Sequence, residues 1–209
     1  FYPDVLEELG RALAAESYHL LLFTGFMDRD SDPVFDQLMQ YRVDGIILAS
    51  TSLSSELSEE CATAGIPVVL SSHAIINIAE DQTSPADWAW GEELWNQLIR
   101  TNDEIIVTVN GHFHGTTMRE RTNDFGHPVY EVLTDYQMAA DGGNGYMTLF
   151  EFDLTNDRID VESVSPWVTV KDKESLTAND APVLDGKWQS FSIPLDFEER
   201  FGYEPVTAT

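Results

Sequence analysis

A single cysteine in 209 residues, Cys61, leaves no internal disulfide to staple the chain. Its setting, Leu57-Ser58-Glu59-Glu60-Cys61-Ala62, reads as a small residue on a helix face. Basic residues are scarce too: 11 Lys plus Arg stand against 37 Asp plus Glu, a formal net charge of −26. Lys171, Lys173 and Lys187 are the only lysines, so no basic stripe forms and the surface repels phosphate backbones and anionic headgroups. Nucleic acid is excluded as a partner on that ground. No apolar run approaches the roughly 20 residues of a membrane span. The opening Phe1-Tyr2-Pro3-Asp4 lacks the basic and apolar regions of a signal peptide and reads as mid-domain sequence. The expectation is a soluble chain that does not engage a membrane.

Apolar material is plentiful. Hydrophobic residues make up 43% and aromatics 11%, too much for a disordered acidic tail, so a folded globular chain is expected. The carboxylate excess also suits a high-salt cytoplasm, where ions screen self-repulsion. Its expected consequence is a melting temperature that rises with added KCl; a thermal scan with no such rise removes the halophilic reading.

The chain changes character near residue 72. From Pro3, the residues Val5, Leu6, Leu9, Ala12 and Leu13 share one helical face, and Tyr18 to Phe23 is an apolar run of strand length. Pro33 to Tyr41 and Leu53 to Ala64 read as helices, Val43 to Leu48 and Gly65 to Leu70 as strands. Helices alternating with continuously apolar strands predict a parallel sheet covered on both faces.

Beyond residue 72, a Trp-rich helix is expected over Pro85 to Arg100, with Trp88, Trp90 and Trp95 assigned to packing. Glu104 to Val109 reads as an apolar strand. Pro128 to Leu133, Gly145 to Phe152, Arg158 to Val164 and Trp188 to Leu195 are mostly alternating runs between turn residues, the pattern of antiparallel strands. The predicted fold class is therefore α/β, a parallel helix-covered sheet in the first third continuing into an antiparallel-rich β region. The predicted division is residues 1–72 and 73–209.

Gly111-His112-Phe113-His114-Gly115 follows the Glu104 strand directly. His residues two apart in extended chain point the same way, about 6.6 Å apart, a spacing that suits two metal ions roughly 3.5–4 Å from one another. His127 before Pro128 reads as a turn residue and His19 as a strand-edge residue. Asp28, Asp30 and Asp32 have calcium-loop spacing, but Pro33 stands where that loop needs Gly and no Glu closes it.

Two resemblances attach to these residues. Phe1-Tyr2-Pro3-Asp4, Val43-Asp44-Gly45-Ile46-Ile47-Leu48 and Gly65-Ile66-Pro67-Val68-Val69 resemble the first part of the ligand-binding domain of LacI-type transcription regulators, which share the periplasmic sugar-binding fold. In that family a DNA-binding headpiece and first strand would precede Phe1, and a second lobe would complete the sugar cleft. Gly111-His112-Phe113-His114 resembles the last metal-binding motif of calcineurin-like metallophosphoesterases, with His73 matching that family's lone upstream His. Asp135-Tyr136-Gln137, Gly142-Gly143-Asn144-Gly145-Tyr146 and Ser165-Pro166-Trp167 are similar to the C-terminal half of the same family, which implies half of its sandwich fold.

The second resemblance implies divalent metal ions as cofactors, His73 and His112 on one and His114 on the other, and a phosphate ester as substrate. Asn144 fits a tight turn, with phosphate contact as the minor reading. The family's Asp-x-His, Gly-Asp-x-x-Asp and Gly-Asn-His motifs do not occur in residues 1–72. The expected function is thus a phosphoesterase-related protein with an incomplete two-metal site and impaired or absent activity. The alternatives are a sugar-sensing fragment of a LacI-type regulator and a non-catalytic hybrid scaffold joined within Gly65 to Ser72.

Overall fold

A computed structural model describes residues 7, 10–11, 13–15, 17–22, 41, 43, 45–49, 65–178 and 180–202. Cys61, the Asp28, Asp30 and Asp32 group, Asp44 and the helix expected over Leu53 to Ala64 lie outside them, as does all but Tyr41 of the helix expected from Pro33. The chain divides into two compact units, Phe1–Arg42 and Val43–Thr209. Among the described residues no helix is long and apolar enough to cross a membrane.

In the first unit, residues 7, 10–11 and 13–15 are helical, with a Glu7–Arg11 pair one turn apart at 2.9 Å. The helix stops where Ser17 takes φ 66° and the Tyr18 N–H donates back to the Leu13 carbonyl, a left-handed C-terminal closure. Tyr18 to Leu22 form no strand, contrary to expectation, and the side chains of Tyr18, Leu20, Leu21 and Leu22 are exposed. An apolar run of strand length states only that burial would be favourable. It does not supply a partner edge.

The second unit is built on a five-stranded sheet. Its strands are β1 (Ile46–Ala49), β2 (Val68–Ser72), β5 (Ile105–Asn110), β6 (Gly115–Thr122) and β7 (Pro128–Asp135), in the order β1-β2-β5-β7-β6. The short strands β3 (Asn77–Ile78) and β4 (Pro85–Ala86) pair separately. β1, β2, β5 and β7 run parallel and only β6 is antiparallel, at the edge. The α/β class holds, and parallel pairing extends well past the first third. β5 is buried along almost its whole length, as a central parallel strand covered on both faces must be.

A second, antiparallel sheet has β9 (Arg158–Val164) at its centre, with β8 (Met147–Asp153) on one side and β11 (Ser190–Pro194) and β10 (Val183–Leu184) on the other. Its inner face supplies Ile159, Val161 and Ile193, which pack with Ile106, Val107, Tyr130 and Val132 of the first sheet. Phe197, from the short helix α3 (Phe197–Phe201), closes this core at 2% exposure. Asp196 caps that helix by accepting the Glu199 N–H at 2.8 Å. Ser165 does the same for α2 (Pro166–Val170), with Pro166 in the first turn, so Ser165-Pro166-Trp167 is a helix start.

The Trp-rich helix is shorter than expected. α1 spans Ala89–Gln97, and Pro85–Ala86 pair with Asn77–Ile78 as strands instead. Trp88 is extended at φ −127° and ψ 125°, outside the helix and exposed, whereas Trp95 is buried as packing requires.

Candidate functional site

The parallel strands β2, β5 and β7 end on one edge of the sheet, and the residues at or just beyond their ends are His73, Gly111 to His114, and Asp135 to Gln137. Open α/β sheets bind ligands outside the carboxyl ends of their strands, where loops diverge from a rigid scaffold. Here the edge is ordered by backbone contacts. The Gly111 N–H donates to the His73 carbonyl at 3.2 Å, tying the ends of β2 and β5 together. Asn110, 3% exposed, locks the next turn: its Nδ2 donates to the carbonyls of Ile76 and Gly111, each at 3.2 Å, and its Oδ1 accepts the Ile76 N–H at 3.4 Å.

His112 is held in an unusual conformation. Its φ is 67°, and the Phe113 N–H donates to the Gly111 carbonyl at 2.8 Å, so His112 sits at the centre of a three-residue turn. A non-glycine residue in that region is strained by roughly 1–3 kcal/mol and persists only when its surroundings enforce it. The result is an imidazole aimed at His73: Nε2 of His73 and Nδ1 of His112 lie 2.8 Å apart. One ring nitrogen donates and the other accepts.

The two histidines continue into an aromatic chain. The His73 and His112 rings are 4.6 Å apart, Phe113 meets His112 edge-on at 4.7 Å, and Trp88 meets Phe113 edge-on at 4.9 Å. His73, His112 and Trp88 are exposed and Phe113 is partly so. Asp135 approaches from β7: its Oδ2 lies 3.7 Å from where a Cβ on Gly111 would stand, and its Oδ1 accepts the Gln137 N–H at 2.8 Å. The edge therefore presents aromatic surface, imidazole donors and acceptors, and one carboxylate.

Of the expected metal ligands, the structure joins His73 to His112, while His114 is exposed and makes no third ligand with them. Among the described residues no three His, Cys, Asp or Glu side chains are grouped so as to hold a metal ion. The ligand set brought together among the described residues does not fit a two-metal centre. Asn144 spends its side chain on other partners. It is 4% exposed at φ 50°, its Oδ1 accepts from Lys171 Nζ at 3.0 Å, its Nδ2 donates to Asp180, and its carbonyl accepts from Ser165 Oγ at 2.6 Å. Both ends of its amide are used in fastening the 140–145 turn to α2 and the 177–181 segment. His127, read as a turn residue, pairs through Nδ1 with Asp103 at 2.8 Å.

Comparison with known proteins bears on the three histidines. The family model described as periplasmic binding proteins and sugar binding domain of LacI family matches residues 1–141. The match crosses residue 72 and includes His73, His112 and His114. The hydrolase and metallophosphoesterase reading of Gly111-His112-Phe113-His114 is corrected accordingly: the matched family covers that segment, and the ligand cluster the reading requires is not formed among the described residues. A curated relative, "Uncharacterized protein YvnB" of Bacillus subtilis (strain 168), is 31% identical over 116 residues, which cover 53% of this chain and 8% of that protein. The chain thus spans less than a tenth of the length of that relative.

Proposed function

The chain belongs to the family of periplasmic binding proteins and LacI-type sugar-binding domains, and from that premise we propose that it is a ligand-recognition module whose carboxyl-edge cluster takes a neutral sugar. The observation that carries the reading is the ring chain His73–His112–Phe113–Trp88 at the ends of β2 and β5. Sugars present apolar C–H faces and a rim of hydroxyls. Aromatic surface meets the first, and imidazole and carboxylate groups that both donate and accept meet the second.

Charge narrows the ligand class. A net charge of −26, with the Asp135 carboxylate close to Gly111, disfavours phosphorylated or carboxylated sugars and leaves neutral ones. The strained His112 turn supports recognition as well, because such strain concentrates at ligand clamps.

The test is titration with glucose, galactose, ribose and maltose, read by calorimetry and by melting temperature. Binding at 100 times Kd stabilises the folded chain by about 2.7 kcal/mol. Trp88→Ala removes one aromatic contact, about 0.5–1.5 kcal/mol, and is expected to weaken the bound sugar roughly three- to tenfold. Absence of heat and of thermal stabilisation with all four sugars at millimolar concentration overturns the reading.

A further inference from the structure

The ring chain has an outer end, Trp88, whose placement the strand ends alone do not explain. Trp88 lies outside α1 and makes no side-chain cap for it; its carbonyl accepts the Glu92 N–H at 2.9 Å, and its exposed ring meets Phe113 edge-on. Its neighbour Asp87 is 78% exposed, yet the carboxylate is held: Asp87 Oδ1 accepts from Arg119 Nη1 at 2.6 Å. Arg119 belongs to β6 and is only 17% exposed. It uses the rest of its fork on two further carboxylates, donating through Nε to Glu131 Oε2 at 2.6 Å and through Nη2 to Glu92 Oε1 at 3.1 Å. One guanidinium thereby joins β6, β7, α1 and the segment leading into Trp88.

The anchor of this junction is unusual. Glu131 is fully buried, and its second oxygen, Oε1, has no partner. Burying an ion pair gives little net stability compared with an apolar pair, so its presence on β7 asks for another return. Directional hold is such a return. A carboxylate locked inside the fold fixes the plane of the guanidinium, and a fixed plane aims the outward Nη1 at Asp87. Lysine, a point charge on a flexible stem, could not hold three carboxylates in one geometry.

We propose that Arg119 is a positioning residue for the sugar-recognition edge, holding the Trp88 rim through Asp87 from a buried anchor on Glu131. This rests on the ligand-binding reading above. Trp88 in turn sets how far the aromatic surface reaches past Phe113, and so the size of sugar face the edge accepts.

The variants are Asp87→Ala and Arg119→Lys, and the readout is acrylamide quenching of Trp88, taken as the difference between each protein and its Trp88→Phe counterpart. Asp87→Ala cuts only the outer bond of an exposed residue and is expected to keep the parent melting temperature while raising Trp88 quenching. Affinity for whichever of glucose, galactose or ribose the parent binds is expected to fall roughly threefold, what one exposed ion pair is worth. Arg119→Lys is expected to raise quenching further. A merely structural role would move the melting temperature and leave Trp88 quenching alone in Asp87→Ala. Unchanged quenching in Asp87→Ala overturns the proposal, whether or not Arg119→Lys folds. If the parent binds none of the sugars, the ligand reading falls while the quenching result still decides the role of Arg119.

Discussion

Gly91→Ala is expected to lower stability by about 3 kcal/mol, the upper end of ordinary overpacking, and the melting temperature by roughly 6–12 °C for a domain of this size. The reason lies in how closely α1 approaches the loop after β2. A Cβ on Gly91 would stand 2.6 Å from the Ile75 carbonyl carbon and 3.1 Å from its Cα, with the carbonyl oxygen nearer still. All three are backbone atoms, so no side chain can turn aside. Nor can the loop retreat freely, because Ile75 and Ile76 are fully buried and Asn110 clamps the Ile76 N–H and carbonyl. Either α1 lifts or the His73–Ile76 turn shifts, and both movements separate Trp88 from His73. Sugar affinity is therefore expected to fall with stability, and calorimetry of the variant tests both. The contrasting control is Gly126→Ala, with open space around its Cβ: any loss there reflects only its φ of 90°. Equal losses at the two glycines would remove the close-approach argument.

Strand identity was legible in the sequence where burial is one-sided or complete. The antiparallel strand Arg158–Val164 has the bounds its alternation predicts, and Ile105–Asn110 differs from the predicted Glu104 to Val109 by one residue at each end. β6 was not legible, because Gly115–Thr122 carries Arg119, Glu120 and Arg121 and has neither an apolar run nor a clean apolar alternation. Its arginines are satisfied by Asp87, Glu92 and Glu131, residues far away in sequence, and no local pattern announces such a network. The same strand explains why parallel pairing looked confined to the first third. β6 takes the sheet edge, and β7 returns between it and β5, so β5 and β7, with β6 between them in the chain, become parallel neighbours.

The candidate site was half legible for the same reason. A histidine after each of two parallel strands places both on one sheet edge, which a sequence reading can reach. That they meet each other at 2.8 Å depends on the turn at His112, and Gly111-His112-Phe113 does not announce a left-handed residue. Trp88 was read as helix packing because its spacing to Trp95 is helical. The helix starts one residue later, and the start is decided by the pairing of β4 with β3.

Arg119→Met is expected to cost about 3–5 kcal/mol at neutral pH, because it strands the Glu131 carboxylate in the core. Glu131 is already uneasy in the intact protein. Burial pushes its carboxyl above the ordinary value of 4.5, even though the hydrogen bond and charge of Arg119 pull it down. A raised folded pKa means that, between 4.5 and that raised value, the folded chain holds more protons than the unfolded one. Stability there falls as pH rises and is regained as pH falls. Asp103 has the opposite sign. Burial would raise it, but hydrogen bonds from His127 and Asn123, with the charge of Arg200, outweigh that and hold it below its ordinary 3.8. Its contribution is present above 3.8 and is lost as pH falls further. The two groups occupy separate windows, so the Glu131 effect can be read above 4.5 without interference from Asp103. Glu104, raised mainly by burial, acts in the same direction as Glu131, so the parent alone does not isolate it. The difference between parent and Glu131→Gln does, and it is expected to vanish toward pH 4.5. Removing Arg119 takes away the pull that lowers Glu131, so the Arg119→Met deficit is expected to shrink on acidification from a higher pH than the parent's own change. Pairing it with Glu131→Leu is expected to recover most of the loss at neutral pH, since an apolar pair of similar volume carries no unpaired charge. Urea midpoints of the four proteins between pH 4.5 and 8 measure this. A deficit of Arg119→Met that stays constant across that range, and persists in the double variant, would show that Glu131 is not the group left stranded.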